Sequence, residues 1–470
     1  MNNAEPITLP IECRPEIVEK IAALLRLENN PQIVTTPEEL EELERDLLKQ
    51  AHDLCGLILE KQIQHSMDSE ESREAQHQIA QAFPYKMMDK GKVEVRLRTC
   101  FGLEVTVRVS YFTRKGNRRG KRRYPGFYFG LLVLGIHERC TPCLASEISM
   151  FAGMLGSLEE ARQVLTEQGV DLNIKTVRRI AYRFAERART AQQVLELDFG
   201  PGVTGRKVAI SADGGRTRIR ENKRGKKTPK GRSRFRGAWR EPKLFIIYVV
   251  DAEGKLDRSF MPIIDALIQG PDAMFKLLRA YLSQLNLSEA DRILFIADGA
   301  PWIWNRIPDL IKRLGLASDQ VHQLIDFYHA VEHLGKVASL RKGWSSKQRK
   351  SWVRKHRNLL LQGHVDKVIS AVKAICRGRS SKAIRTQMEY FVKNSARMAY
   401  ARLRELKMPI GSGSVESAIR RVVNLRLKGP CIFWCKENAE AILLLRCYWK
   451  AGRWNMLKNM ANAFVPEAYA

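Results

Sequence analysis

The chain has 470 residues, with 80 Lys and Arg against 51 Asp and Glu, a formal net charge of +29. That length allows two to four domains at roughly 150 residues each, and the cationic excess favours a polyanionic partner, nucleic acid before membrane. No run is long and apolar enough to span a bilayer, no basic-then-apolar leader opens the chain, and nine irregularly spaced Cys predict reduced thiols, so an intracellular protein without a disulfide framework is expected.

Residues 1–88 read as an acidic helical module, with Thr36 as a helix cap and Glu38 and Glu39 in the first turn. Period-two alternation in Val93–Arg98 and Val105–Tyr111, about a turn at Phe101-Gly102, predicts a β-hairpin that opens a region spanning 89–195. The basic run Arg114–Arg123 beside Tyr124, Phe127 and Tyr128 suits either phosphate contact with stacking or a solvated loop. Cys140-Thr-Pro-Cys143, with His137 close by, has metal-ligand spacing, but no second Cys pair follows at zinc-finger distance. Cys431 and Cys435 share one helical face and read as packing residues. Ser157-Leu-Glu-Glu, Gly169 and Asn173 predict a helix–turn–helix over 157–190. Its second helix would offer Arg178, Arg179 and Arg183 to phosphates or bases, although such helical pairs also occur without DNA.

Residues 205–335 read as α/β. Strands are predicted at 208–213, 244–250, 293–298 and 321–326, with a short edge strand near 260–264 and helices near 271–285 and 303–314. Three strands joined locally, then helix–strand–helix–strand, is the order of a ribonuclease-H-like sheet. The polar insert Gly214–Lys243 carries Arg232, Arg234 and Arg236, with Phe235 and Trp239 able to stack on an unpaired base. By its charge it is expected to be disordered without DNA. Residues 336–407 read as a basic helical insertion, and 408–470 as the return of the core and terminal helices.

Three of these strands end in a lone acid: Asp213, Asp298 and Asp326. Phosphodiester cleavage or strand transfer uses two hard cations about 3.5–4 Å apart, and carboxylates are their natural ligands. A ribonuclease-H-like sheet would take one acid from its first strand, one from its fourth and one from a late helix. Asp213, Asp298 and Glu416 occupy those places. Each acid also has a plain structural reading: a turn acid before Gly214-Gly215, a helix cap, and a helix-terminus acid.

Ala297-Asp298-Gly-Ala-Pro-Trp-Ile-Trp304, Ile325-Asp326-Phe-Tyr-His329 and Pro409-Ile-Gly-Ser-Gly-Ser-Val-Glu416 together resemble DDE transposases of the ISKra insertion-sequence family, which are similar to Mutator-type long-insertion transposases. The resemblance spans roughly residues 90 to 450, and departs from the family pattern at Lys428-Gly-Pro-Cys-Ile-Phe-Trp434. It implies a metal-binding triad of Asp213, Asp298 and Glu416, served by two Mg²⁺ or Mn²⁺ ions, and matches Asp326-x-x-His329 to a family signature. It implies double-stranded DNA as partner, at transposon ends and in the target, a homo-oligomer on that DNA, and a prokaryotic, nucleoid-associated setting. His329 would orient catalytic groups or contact the scissile phosphate, unless it is simply a core histidine.

Two rival readings stand. A DNA-binding regulator would keep the basic surfaces without the triad. A zinc metalloprotease would use His329-Ala-Val-Glu332-His333, a literal H-x-x-E-H, but would have no use for the basic runs or the acid-tipped strands.

Overall fold

The structure, a computed structural model, describes residues 14–29, 31, 33–114, 126–229, 231–378 and 381–466. It divides into two compact units, Met1–Ala191 with Lys458–Ala470, and Gln192–Leu457. Among the described residues no helix is long and apolar enough to cross a membrane.

The first unit opens with three helices, α1 (Pro15–Asn29), α2 (Pro37–Asp68) and α3 (Glu70–Ala82). Thr36 and Glu39 cap α2 reciprocally, and Pro37 starts it at a position that needs no donor. Arg14–Glu60 and Lys20–Asp53 ion pairs tie α1 to α2. Strands β1 (Met87–Arg98) and β2 (Glu104–Arg114) form the hairpin. Its alternation buries Val95, Leu97, Val105 and Val107 against Ile63 and Met67 of α2. Four helices follow: α4 (Phe129–Val133), α5 (Pro142–Met154), α6 (Leu158–Glu167) and α7 (Ile174–Ala191). Gly169 turns the chain between α6 and α7 at φ +83°, a conformation that favours glycine. Asn173 then accepts the Thr176 N–H at 2.9 Å and starts α7. Val177, Ile180, Ala181 and Phe184 bury one stripe of α7, which leaves Arg178, Arg179 and Arg183 exposed on the other.

The second unit is α/β, built on a mixed five-stranded sheet of order β7-β6-β3-β8-β9. Its strands are β3 (Lys207–Gly214), β6 (Lys243–Val250), β7 (Ile263–Leu267), β8 (Arg292–Ala297) and β9 (Val321–Ile325), with the small pair β4 (Thr217–Asn222) and β5 (Phe235–Arg240) set between β3 and β6 in the chain. β6 runs antiparallel to β3 and β7, whereas β8 is parallel to β3 and β9 to β8. Every residue of β6 is buried, as its unbroken apolar run requires of a strand covered on both faces.

Its helices are α8 (Pro271–Gln284), α9 (Pro301–Trp304), α10 (Ile307–Arg313), α11 (Phe327–Ser339), α12 (Ser346–Leu361), α13 (Val365–Cys376), α14 (Lys382–Asn394), α15 (Tyr400–Glu405), α16 (Gly413–Ile419), α17 (Leu425–Leu427) and α18 (Lys436–Lys450), and α19 (Trp454–Asn462) begins in this unit and ends in the first. The helix expected over 303–314 is broken into α9 and α10, because Pro308 suits only a first turn and forces a restart after Arg306. The helical stretch after α11 packs on the β8–β9 side of the sheet, where Leu294, Ile296 and Leu324 meet Leu334, Phe391 and Tyr400.

One expectation is corrected. The insert after Asp213 is not structureless: β4 and β5 pair over six rungs, Thr217↔Arg240 to Asn222↔Phe235. Self-repulsion is offset locally, since Glu221 binds both Arg236 and Arg240, and rings of Trp239, Phe235 and Phe433 cover Arg218 and Arg220.

Candidate active site

Two acids reach the site on neighbouring strands. Ser211 of β3 lies opposite Ile296 of β8, and two further steps of that parallel register set Asp213 beside Asp298. Adjacent strands stand about 4.8 Å apart, so both carboxylates share the carboxyl-terminal edge of the sheet, where α/β folds place their ligands. Space is tight at the glycines beside them. A Cβ on Gly214 would strike the Glu241 carboxylate, one on Gly215 would come within 3.0 Å of Val423, and one on Gly299 within 2.6 Å of the Tyr390 ring. Asp298 is held by the Ala300 N–H at 3.0 Å, and its carbonyl takes the Trp304 indole N–H at 2.5 Å.

Glu416 arrives on α16, which packs against β3 and β6, and about half of its side chain is exposed. The helix then widens into a π turn over Arg420–Asn424. Such turns leave backbone carbonyls short of partners. The buried Arg446 of α18 donates to the carbonyls of Val422, at 2.8 Å, and Arg421.

Asp326 has a different role from the other acids. It caps α11 by accepting the His329 N–H at 2.8 Å, and it accepts the Ser412 hydroxyl at 2.7 Å and the Ser412 backbone N–H. Phe327 N–H also bonds the Ile410 carbonyl at 2.9 Å. Asp326 is fully buried and joins the start of α11 to the start of α16. Asp326, His329 and Glu416 bring ligand atoms within 4.8 Å of one another. The Asp326 oxygens are already committed to these donors, so it acts as a strut for the site rather than as an open ligand.

The electrostatics follow from this packing. Burial would raise the Asp326 carboxyl, but the donors from His329 and Ser412 hold it down at about 2. Asp326 in turn, at 3.3 Å from His329 Nδ1, raises that imidazole to about 9, with Asp298 and Glu332 adding to the effect. His329 Nδ1 also lies 3.8 Å from Glu416. Burial, with the nearby charges of Asp298 and Glu416, pushes Asp213 up to about 6. Asp213 feels the charges of Asp298 and Glu416, yet among the described residues the group whose ligand atoms lie within 4.8 Å of one another is Asp326, His329 and Glu416, and Asp213 and Asp298 stand outside it. The three carboxylates offer the oxygen donors that hard divalent cations take.

A measurable consequence is a pH-dependent stability. A carboxyl raised from 3.8 to about 6 contributes stability that is full below 3.8 and is lost as pH rises through about 6. Relative to Asp213→Asn, the metal-free chain should therefore lose roughly 2 kcal/mol of stability between about pH 4.5 and about pH 8, and Mg²⁺ should restore the loss. In Asp213→Asn both the pH slope and the Mg²⁺ gain should shrink. Melting curves with and without Mg²⁺ check this, and an unchanged Mg²⁺ gain would remove Asp213 from the donor set.

The other residues singled out in the sequence fall into separate groups. His333 does not join His329: its Nδ1 lies 2.7 Å from Gln387 Oε1 and its ring stacks on Tyr390 at 3.6 Å. Among the described residues neither His333 nor Glu332 enters a metal-ligand group, so the H-x-x-E-H spelling does not assemble a His–His centre. His137, Cys140 and Cys143 form no such group either, and burial pushes the Cys140 thiol up to about 12. Arg178, Arg179 and Arg183 are exposed on α7, the last two beside Glu138 and Glu186. Arg232, Arg234, Arg236 and Trp239 lie exposed on or beside the β4–β5 pair. The basic run from Lys115 to Arg123, with Tyr124, lies outside the described residues.

Sequence reasoning missed three neighbours of the site. Tyr390 comes from the helical insertion and lies against Gly299. Lys243, opposite Gly214 in the ladder, is buried, stands 2.7 Å from Glu241 and lies over the Trp302 ring at 4.1 Å. Ser412 binds Asp326. Lys243 is visible in the sequence as a charge at the head of an apolar strand, and Ser412 lies within the Pro409–Glu416 motif, whereas Tyr390 has no local mark.

No protein-family model, curated protein or solved structure matches the chain.

Proposed function

We propose that this protein is a DNA transposase of the DDE type, cutting transposon ends and joining them to target DNA. The carrying observation is that Asp213 and Asp298 end neighbouring parallel strands, with Glu416 near enough for its charge to act on Asp213, in a chain of net charge +29. The strand order, three antiparallel neighbours followed by two parallel ones, supports a ribonuclease-H-like reading of the sheet.

Asp213, Asp298 and Glu416 would hold two Mg²⁺ or Mn²⁺ ions, which when bound activate the attacking oxygen and stabilise the leaving one. The residues of the chain do the rest. Asp326 holds the starts of α11 and α16, and with them His329 and Glu416, in place, and His329 would contact the scissile phosphate, where a donor stabilises the developing anion. Water attacks first and the freed 3′-hydroxyl second, both at the same acids. The basic surfaces bind double-stranded DNA, and a homo-oligomer would hold two ends together.

Mg²⁺- or Mn²⁺-dependent nicking of duplexes carrying the element ends tests the reading, and inverted repeats flanking the coding region would identify those ends. Specific binding without nicking would favour the regulator.

The basic surfaces should separate by salt. Arg232 and Arg234 have no acidic partner among the described residues, whereas Arg236 shares Glu221 with Arg240. Replacing Arg232, Arg234 and Arg236 by Ala should lower the slope of log K against log salt by up to about 2–3, at about 0.9 per phosphate neutralised, on end and scrambled duplexes alike. Replacing Arg178, Arg179 and Arg183 should weaken end DNA selectively, by roughly 1–3 kcal/mol per lost base contact. An unchanged slope in the first variant would leave that loop with no part in holding DNA.

A further inference from the structure

The β4–β5 pair presents two chemically different faces. Side chains alternate along a strand, so the register puts Arg218 and Trp239, Arg220 and Gly237, and Asn222 and Phe235 on one face. The other face carries Ile219, which is buried, and Glu221, which binds Arg236 and Arg240. A third segment joins the edge: Trp434 N–H bonds the Arg218 carbonyl at 2.9 Å, and Arg220 N–H bonds the Trp434 carbonyl at 2.7 Å. That pairing brings Phe433 onto the first face, over Gly237, where a Cβ would lie 2.5 Å from the ring.

Rings and guanidiniums then follow one another without a gap. Arg218 lies 5.4 Å from the Trp239 ring and 4.5 Å from Phe433, Phe433 lies 5.5 Å from Phe235, and Arg220 stands 4.8 Å from Phe235. Trp239 is 58% exposed and Phe235 41%. Arg218 is fixed by the Gly429 carbonyl, and neither Arg218 nor Arg220 has a carboxylate partner among the described residues. Cations facing rings on one side and carboxylate-paired cations on the other are not what mere solubility requires.

We infer that this face is a binding subsite for unpaired nucleotides, with bases stacking on Trp239 and Phe235 and phosphates meeting Arg218 and Arg220. Duplex DNA offers base edges and phosphates, its base faces being covered by their neighbours. Exposed rings interleaved with Arg suit single strands, where every base has a free face. An acidic peptide would use the cations and leave the rings idle. The subsite lies close to the acids, since Arg218 is five positions beyond Asp213, at most about 18 Å of extended chain. A strand opened at the cleavage point would reach it within a few nucleotides. The inference rests on the nucleic-acid part of the proposed function, not on catalysis.

The test compares the full chain binding a fluorescent thymidine 15-mer with its binding to an abasic 15-mer of the same sugar-phosphate length, across a salt series. The intact protein should prefer the thymidine strand by roughly tenfold for each base engaged. Trp239→Leu together with Phe235→Leu should abolish that preference and leave the salt slope unchanged. If the pair unfolds the hairpin, Trp239→Leu alone decides, its side chain being mostly in water. Equal affinity of the intact protein for both strands overturns the subsite, as does a preference retained in the variants. Thymidine preference without nicking of any end DNA would keep the subsite and sink the transposase; nicking without preference would do the reverse.

Discussion

Asp298→Asn should reduce metal-dependent nicking of end DNA by at least on the order of 10³-fold, while DNA affinity stays within about a factor of two. The substitution keeps the shape of the side chain and the acceptor for the Ala300 N–H, but removes the charge that a divalent cation needs at the end of β8. Loss of several kcal/mol of charge stabilisation in the transition state corresponds to rate losses of this order. On the proposed reading affinity should persist, because cations on α7 and around the β4–β5 pair would carry it, and Asp298 belongs to neither element. The measurement is single-turnover nicking beside a binding titration at one salt concentration. A variant that nicks at the parental rate would break the triad assignment.

Asp326→Ala should be the most destabilising single change at the site, at about 3–5 kcal/mol, the range for breaking a buried pair by removing one partner. Three donors lose their acceptor at once, the His329 backbone N–H and the Ser412 N–H and hydroxyl, and the His329 ring loses its ion-pair partner at 3.3 Å. The imidazole should lose its raised pKa, so the stability that cationic His329 contributes, full below 6.5 and lost as pH rises through about 9, should vanish from the pH profile. Asp326→Asn should fall between, because an amide keeps one acceptor and turns an N–H against the Ser412 donors. Chemical denaturation across pH 5 to 10 reads both effects. A small loss, under about 1 kcal/mol, would show that the α11–α16 junction is held by packing alone.

Local pattern in this chain conveys its strands and caps, but not which distant side chains meet. Apolar runs such as Leu244–Val250 and Ile293–Ala297 are legible as buried strands because their period and length are local properties. Thr36, Ser157 and Asn173 are legible as helix caps for the same reason. Asp213 and Asp298 were marked by position, each closing an apolar run before glycine, and parallel pairing of β3 and β8 brings them side by side. Glu416 carried no mark beyond its place in a first turn, and its nearness to the strand acids comes from the packing of α16 on β3 and β6.

Commitments between distant segments were beyond any local pattern. Asp326 reads like Asp213, a strand-end acid, yet it spends its oxygens on a cap and on Ser412, 86 residues later. The charge of the insert after Asp213 argued for disorder, and only the segment at Trp434, together with rings placed over the arginines, turns it into an ordered sheet. Tyr390 and Lys243 border the acids for the same reason. Spacing and periodicity set which backbone forms strand or helix, through preferences acting over a few residues. Which side chains meet depends on loop closures spanning tens to hundreds of residues, and those are decided by the packed core.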